Sequence, residues 1–163
     1  QWRPEHGPAV VLGAGGAARA VVAALVDAGV RGVTIVNRTM ARAEQVARDL
    51  GGPLTVRPWS ERSTLLAGAA LLVNTTTQGM TGQPPLDIDL GRLPTEAVVN
   101  DIVYVPLHTP LLTAAARRGN VVVDGLGMLL HQARPGFRAW FGVEPEVTKA
   151  QRDHVLADIE ARR

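Results

Sequence analysis

The stretch VVLGAGGAARAVVAAL, residues 10–25, limits the fold more than any other part of the chain. An apolar run over 9–12 breaks at Gly13-Ala14-Gly15-Gly16, and helical spacing follows over 16–28 until Gly29 ends it. This is the pattern of a strand, a tight turn and a helix that together hold a dinucleotide. Gly13 allows the turn, Gly15 lets the backbone approach a pyrophosphate, and the small Ala18 keeps the helix close to the sheet. The helix N-terminus adds free amides and the positive end of its dipole. A bare β-α turn can carry the same glycines. Here the strand before, the helix after and a second strand at the expected distance favour the nucleotide reading.

The remaining chain alternates in the same way. Strands are predicted at 33–37 (VTIVN), 54–57, 70–74, 97–104 and 121–125. Helices are predicted from Thr39 as N-cap to about Leu50, near 60–67 opened by Ser60, from Thr109-Pro110 to Gly119, over about 126–141 with a kink at Pro135-Gly136, and over about 146–162. Apolar strands separated by helices imply a doubly wound, mostly parallel six-stranded Rossmann-like α/β sheet with helices on both faces. At 163 residues, 46% of them hydrophobic, residues 1–163 form one domain with an adequate core.

Composition removes several function classes. With no cysteine there is no disulfide framework, thiolate catalysis or cysteine-bound metal, and the four histidines show neither ligand nor triad spacing, so no metal is expected. The net charge is only +2, the arginines sit among acids, and six residues are aromatic, which argues against nucleic acid. No apolar run approaches the roughly 20 residues that cross a bilayer, and the N-terminus lacks a signal-peptide pattern. A cytoplasmic protein with no membrane partner is the expectation.

The second strand ends in Asn37-Arg38-Thr39, with Arg42 beyond. An acidic residue at this point would bond the ribose hydroxyls and repel a 2′-phosphate. Asn37 removes that repulsion, while Arg38 and Arg42 can converge on a phosphate, so NADP is the favoured cofactor. Further polar residues and glycines collect after the later strands, in NTTTQGM (74–80), NDIVYVPLHTPLL (100–112) and DGLGMLLHQ (124–132).

These segments together with GAGGAARA and FRAWFG, in this order over residues 10–142, resemble the C-terminal, NADP-binding domain of the shikimate dehydrogenase family. The resemblance implies NADPH-dependent interconversion of 3-dehydroshikimate and shikimate in aromatic amino-acid biosynthesis. It implies that Gly13, Ala14, Gly15, Gly16 and Ala17 contact the pyrophosphate. Asn37, Arg38, Thr39 and Arg42 would surround the adenosine ribose and its phosphate, Thr76 would line the groove, and Ile102 and Gly125 would lie beside the nicotinamide. Tyr104 and Gln132 would reach the substrate. Asp101 has a structural role in this scheme.

The family assigns proton transfer to a Lys and Asp pair in an N-terminal substrate domain. The chain begins about eight residues before its first strand, so no catalytic residue is expected within it, and Lys149, the only lysine, lies outside the family motifs. The final segment, 146–163, is expected to pack partly on that substrate domain through Val147, Val155 and Ile159. Apolar surface left uncovered would favour self-association, with a homodimer among the forms open to it. Two rivals remain at this point: a quinate/shikimate dehydrogenase of broader specificity, and a non-catalytic NADP-sensing module.

Overall fold

Parallel strands cannot be joined by a tight turn, so each must be followed by a crossover that returns the chain to the same end of the sheet. The computed structural model, which describes residues 2–161, shows how this chain does so. Strands β1 (Ala9–Leu12), β2 (Val33–Asn37), β3 (Leu54–Pro58), β4 (Leu71–Asn74), β5 (Val98–Asp101) and β6 (Val121–Val123) form one sheet. Their spatial order is β3-β2-β1-β4-β5-β6, and every adjacent pair is parallel. Helices α1 (Gly16–Asp27), α2 (Met40–Leu50), α3 (Pro110–Arg117), α4 (Leu126–Phe141) and α5 (Lys149–Ala161) complete it. The order reverses between β1 and β4, which opens a crevice at the carboxyl ends of those two strands.

Alternate residues of each strand enter different cores, as the two-residue period requires. Ala9, Val11, Val33, Ile35, Leu71 and Val73 pack with Ala18, Val22 and Leu25 of α1 and with Ala43 and Val46 of α2. Val10, Leu12, Val36, Leu72 and Val99 pack on the other face with Leu111, Leu112 and Ala115 of α3 and with Leu86, Leu90 and Leu93 of the connection between β4 and β5. Among the described residues, no helix lies over the β4–β6 part of the first face, and α1 only borders it. Trp2, Val73, Val98, Val121 and Val123 border an open groove of about 600 Å³ there.

Several local expectations shift. The predicted strand 97–104 stops at Asp101, because its Oδ1 accepts from Val103 N at 3.1 Å and turns the chain out of the ladder. The strand predicted to 125 ends at Val123. The predicted helix 60–67 is two single 3-10 turns, Trp59–Glu61 and Thr64–Leu66, and Ser60 caps nothing. Arg62 and Thr64 instead bond backward to the carbonyls of Trp59 and Glu61, which favours short turns. Thr39 occupies the N-cap of α2 without a side-chain cap bond. Thr109 does cap α3, its Oγ1 accepting from Leu112 N. Helix α4 continues across Pro135. Val147 and Val155 of the last segment meet Leu129, Leu130 and Ala133 of α4 around a shared groove.

One buried polar chain joins three of these elements. Asn74, fully buried at the end of β4, donates through Nδ2 to Asp101 Oδ1 at 2.9 Å and to Gln78 O at 3.2 Å. Its Oδ1 accepts from Thr76 N and Thr76 Oγ1 at 3.1 and 2.8 Å. Asp101, also fully buried, accepts from Thr109 Oγ1 at 2.7 Å through Oδ2. Burial raises the Asp101 carboxyl above the ordinary carboxylate value, and the bonds from Thr109, Val103 and Asn74 only partly offset it. A raised folded-state value means that the native protein holds this proton more firmly than the unfolded chain. The group's contribution to stability therefore falls as pH rises from the unfolded value, about 3.9, through the folded one. Asp101→Ala, which orphans Thr109 and Val103, is expected to cost about 2–3 kcal/mol in denaturant titration. Asp101→Asn keeps most of the bonds and should cost about 1 kcal/mol or less at low pH. Its melting temperature should gain on that of the unaltered chain as pH rises through this window.

Candidate functional site

Strand register decides which residues share the carboxyl edge of the sheet. Val36, Leu12, Asn74 and Asp101 are aligned partners across β2, β1, β4 and β5. The residues that follow them, Asn37, Gly13, Thr75 and Ile102, therefore form the next row and begin the loops that border the crevice. Pro58 pairs with Asn37 at the outer end, so Trp59 stands one residue beyond the same edge.

The β1-α1 turn is held against this row. Gly13 N donates to Val36 O at 2.8 Å, and Gly13 has φ +109°, a backbone state that favours glycine. A β-carbon here would lie 2.6 Å from Thr75 Oγ1, which is itself bonded to Leu12 O. At Gly15 and Gly16 nothing lies within 4 Å of an added β-carbon, so the backbone of the turn faces open space. Helix α1 starts at Gly16, and the amides of its first turn have no partner inside the helix.

Two adjoining cavities follow the turn and share Gly15, Thr75, Thr76 and Thr77. The smaller, about 230 Å³, has Gly13, Ala14, Asn37 and Arg38 in its walls. The larger, about 410 Å³, has Gly16, Ala17, Ile102 and Tyr104. Thr76 is fixed between them by Asn74, and its own Oγ1 accepts from Gln78 N at 3.2 Å. The buried Oε1 of Gln78, in the smaller cavity, has no hydrogen-bond partner among the described residues. Arg38 and Arg42 are exposed, and neither forms an ion pair with a described carboxylate. A phosphate-bearing nucleotide fits the open glycine backbone, the unpaired amides and the two free cations.

Four of the residues singled out from the sequence lie outside both linings. Thr39 accepts the Asn37 Nδ2 bond through its carbonyl at 2.8 Å, which shapes the turn into α2. Arg42 stands one turn into that helix. Gly125 supports the cavity from behind: a β-carbon there would sit 2.1 Å from Ile102 O. Asn100 pairs with Val123, so Gly125 falls level with Ile102. Gln132 is exposed on α4 and borders neither cavity. Conversely, Thr75, Thr77, Gln78, Met80, Met128 and Trp59 line the cleft without having been singled out. All but Trp59 lie in the rim motifs NTTTQGM and DGLGMLLHQ. Trp59 could have been found from its position just past the end of β3.

Comparison with known proteins agrees with this geometry. Residues 5–81 match the shikimate / quinate 5-dehydrogenase family, and residues 125–151 match the shikimate 5′-dehydrogenase C-terminal domain. A shikimate dehydrogenase (NADP(+)) of Paramagnetospirillum magneticum is 64% identical over 156 residues, 96% of this chain and 56% of that protein. The chain thus spans little more than half the length of the curated relatives it matches. Among solved structures, a quinate dehydrogenase from Corynebacterium glutamicum in complex with NAD superposes with a TM-score of 0.86 at 32% identity, covering 93% of this chain and 55% of that one. Shikimate 5-dehydrogenase from Thermus thermophilus in complex with NADP(H) and shikimate does so with a TM-score of 0.77 at 37% identity, covering 94% and 55%. With both its ends matched by family domains and its fold shared with these enzymes, the chain belongs to the shikimate dehydrogenase family.

Proposed function

We propose that the chain forms the NADP(H)-binding part of a shikimate dehydrogenase, an oxidoreductase that reduces 3-dehydroshikimate to shikimate. The observation that carries this reading is the single cleft in which an open glycine turn, Asn37 and Arg38 lie at one end and Ile102 and Tyr104 at the other. When bound, NADPH supplies the hydride. The residues of this chain bind and orient. The amides at the start of α1 hold the pyrophosphate, and Arg38 with Arg42 holds the 2′-phosphate, where Asn37 offers no opposing charge.

Thr76, held by the Asn74 amide, fixes the middle of the groove. Ile102, Val103 and Met128 provide an apolar wall that keeps water from the reacting face of the ring. Tyr104, in the wall of the same cavity, offers its phenol as donor or acceptor to a substrate hydroxyl or carboxylate, while Gln132, outside this lining, would meet only a part of the substrate that extends beyond the cavity toward α4. Neither cavity wall contains a lysine, histidine or carboxylate among the described residues. This supports the reading that the hydroxyl proton is handled by groups outside the lining. Lys149 is spoken for, paired with Asp153 on exposed α5. The exposed Phe137, Trp140 and Phe141 near the end of α4, with Val143 just beyond it, support contact of that end with a substrate-binding part.

Likeness to a quinate dehydrogenase holding NAD favours a second reading, an enzyme of broader cofactor and substrate use. Calorimetric titration separates the two. NADPH is expected to bind at least tenfold tighter than NADH, and Arg38→Ala should remove about tenfold or more of the NADPH affinity while leaving NADH nearly unchanged. Equal affinities in the unaltered chain would exclude the NADP reading. The chain by itself should show no shikimate-dependent formation of NADPH above background, followed by absorbance. Enzyme-like turnover would place the proton-transferring group within these 163 residues.

A further inference from the structure

The indole of Trp59 has no part in the scheme above, yet it lies in the wall of the smaller cavity together with Asn37 and Arg38. We infer that Trp59 is the stacking platform for the purine ring of the cofactor, so that adenine is recognised by an aromatic face as well as by the phosphate ligands. The inference rests on the NADP(H) reading of the cleft.

Three observations support it. First, position: β3 and β2 are paired up to Pro58 and Asn37, which brings Trp59 beside the loop that carries Asn37 and Arg38. A base attached to a ribose held by those two residues has Trp59 as its nearest aromatic neighbour in the lining. Second, rigidity: Arg62 lies over the indole with its guanidinium carbon 5.4 Å from the ring centroid. That guanidinium is itself fixed, donating to Trp59 O at 3.1 Å and pairing with Asp87 at 2.7 Å. The indole also packs against the core cluster that includes Leu66, Leu86 and Leu90. It is therefore ordered before any ligand arrives, and stacking on it loses little side-chain entropy. Third, exposure: although Arg62 and the core cover part of the indole, Trp59 is only half-buried and lines the cavity, so a part of the ring remains for a base.

A plain core role for Trp59 makes different predictions. Stacking of a base on an aromatic side chain is lost on removal of the π-face and retained by another aromatic ring, whereas core filling depends on bulk. The test uses the full chain and two probes, adenosine 2′,5′-bisphosphate and nicotinamide mononucleotide, measured by calorimetry with melting curves as the folding control. Trp59→Leu is expected to weaken adenosine 2′,5′-bisphosphate about tenfold or more, with nicotinamide mononucleotide unaffected and Trp59→Phe within about threefold of the unaltered chain.

Adenosine 2′,5′-bisphosphate should also quench tryptophan fluorescence, and that quenching should vanish in Trp59→Phe although binding persists. The other two indoles are remote from the cleft: Trp2 lines the open sheet face, and Trp140 is 81% exposed near the end of α4. Unchanged affinity in a folded Trp59→Leu, or quenching that survives Trp59→Phe, would overturn the inference while leaving the cofactor reading intact. Failure of the unaltered chain to bind adenosine 2′,5′-bisphosphate would overturn both.

Discussion

The contact between Asn74 and Asp101 is the interaction on which the cleft depends. Neither side chain is accessible to solvent, so each must satisfy its hydrogen-bonding groups inside the protein or destabilise it. Asn74 does so by spending its amide on the loop after β4 and on Asp101, and its carbonyl oxygen on Thr76. Asp101 takes the remaining donors from the loop after β5 and from the start of α3. Two neighbouring loops and one helix are thus held in a single arrangement. The groove between them is shaped by the chain's own hydrogen bonds.

Two close approaches complete the frame, and both follow from strand register. The turn after β1 touches the loop after β4 at Gly13 and Thr75, and the end of β6 touches the segment after β5 at Gly125 and Ile102. At each point glycine is required because the neighbour cannot retreat. Thr75 Oγ1 is tied to Leu12 O, and the obstacle at Gly125 is backbone. The crevice at the reversal of strand order is therefore bordered by backbone on one side and by a hydrogen-bonded threonine on the other. Such walls move little, which suits the proposed role of holding a long, flexible dinucleotide.

Much of this was legible in the amino-acid order because its signals are local. Gly13 to Ala18 after an apolar run, the β-branched VTIVN, and Thr109-Pro110 before a helix each act within a few residues, and the structure has the corresponding elements there. The early end of β5 was hidden because it depends on Asp101 turning its side chain onto Val103, which competes with a run that is otherwise apolar. Ser60 looked like a helix cap, but the backward bonds of Arg62 and Thr64 tighten the segment into separate turns. The place of Trp59 is hidden in the sequence for a different reason. A lone aromatic after a strand looks like core, and only the pairing of β3 with β2 brings it next to Asn37. Motif position places Gln132 near the substrate but does not report whether a helix turns that residue toward a cavity.

The approach of Gly125 to Ile102 has a mechanical side. Helix α4 begins at the next residue and runs for 16 residues, ending among exposed aromatics, while Arg152 of α5 grips Asp124 at its root with a 2.6 Å ion pair. At about 1.5 Å per residue the helix is a rod of roughly 24 Å whose pivot rests on the floor of the cleft. Gly125 thus joins the wall of the cleft at Ile102 directly to a helix whose far end carries the exposed Trp140 and Phe141.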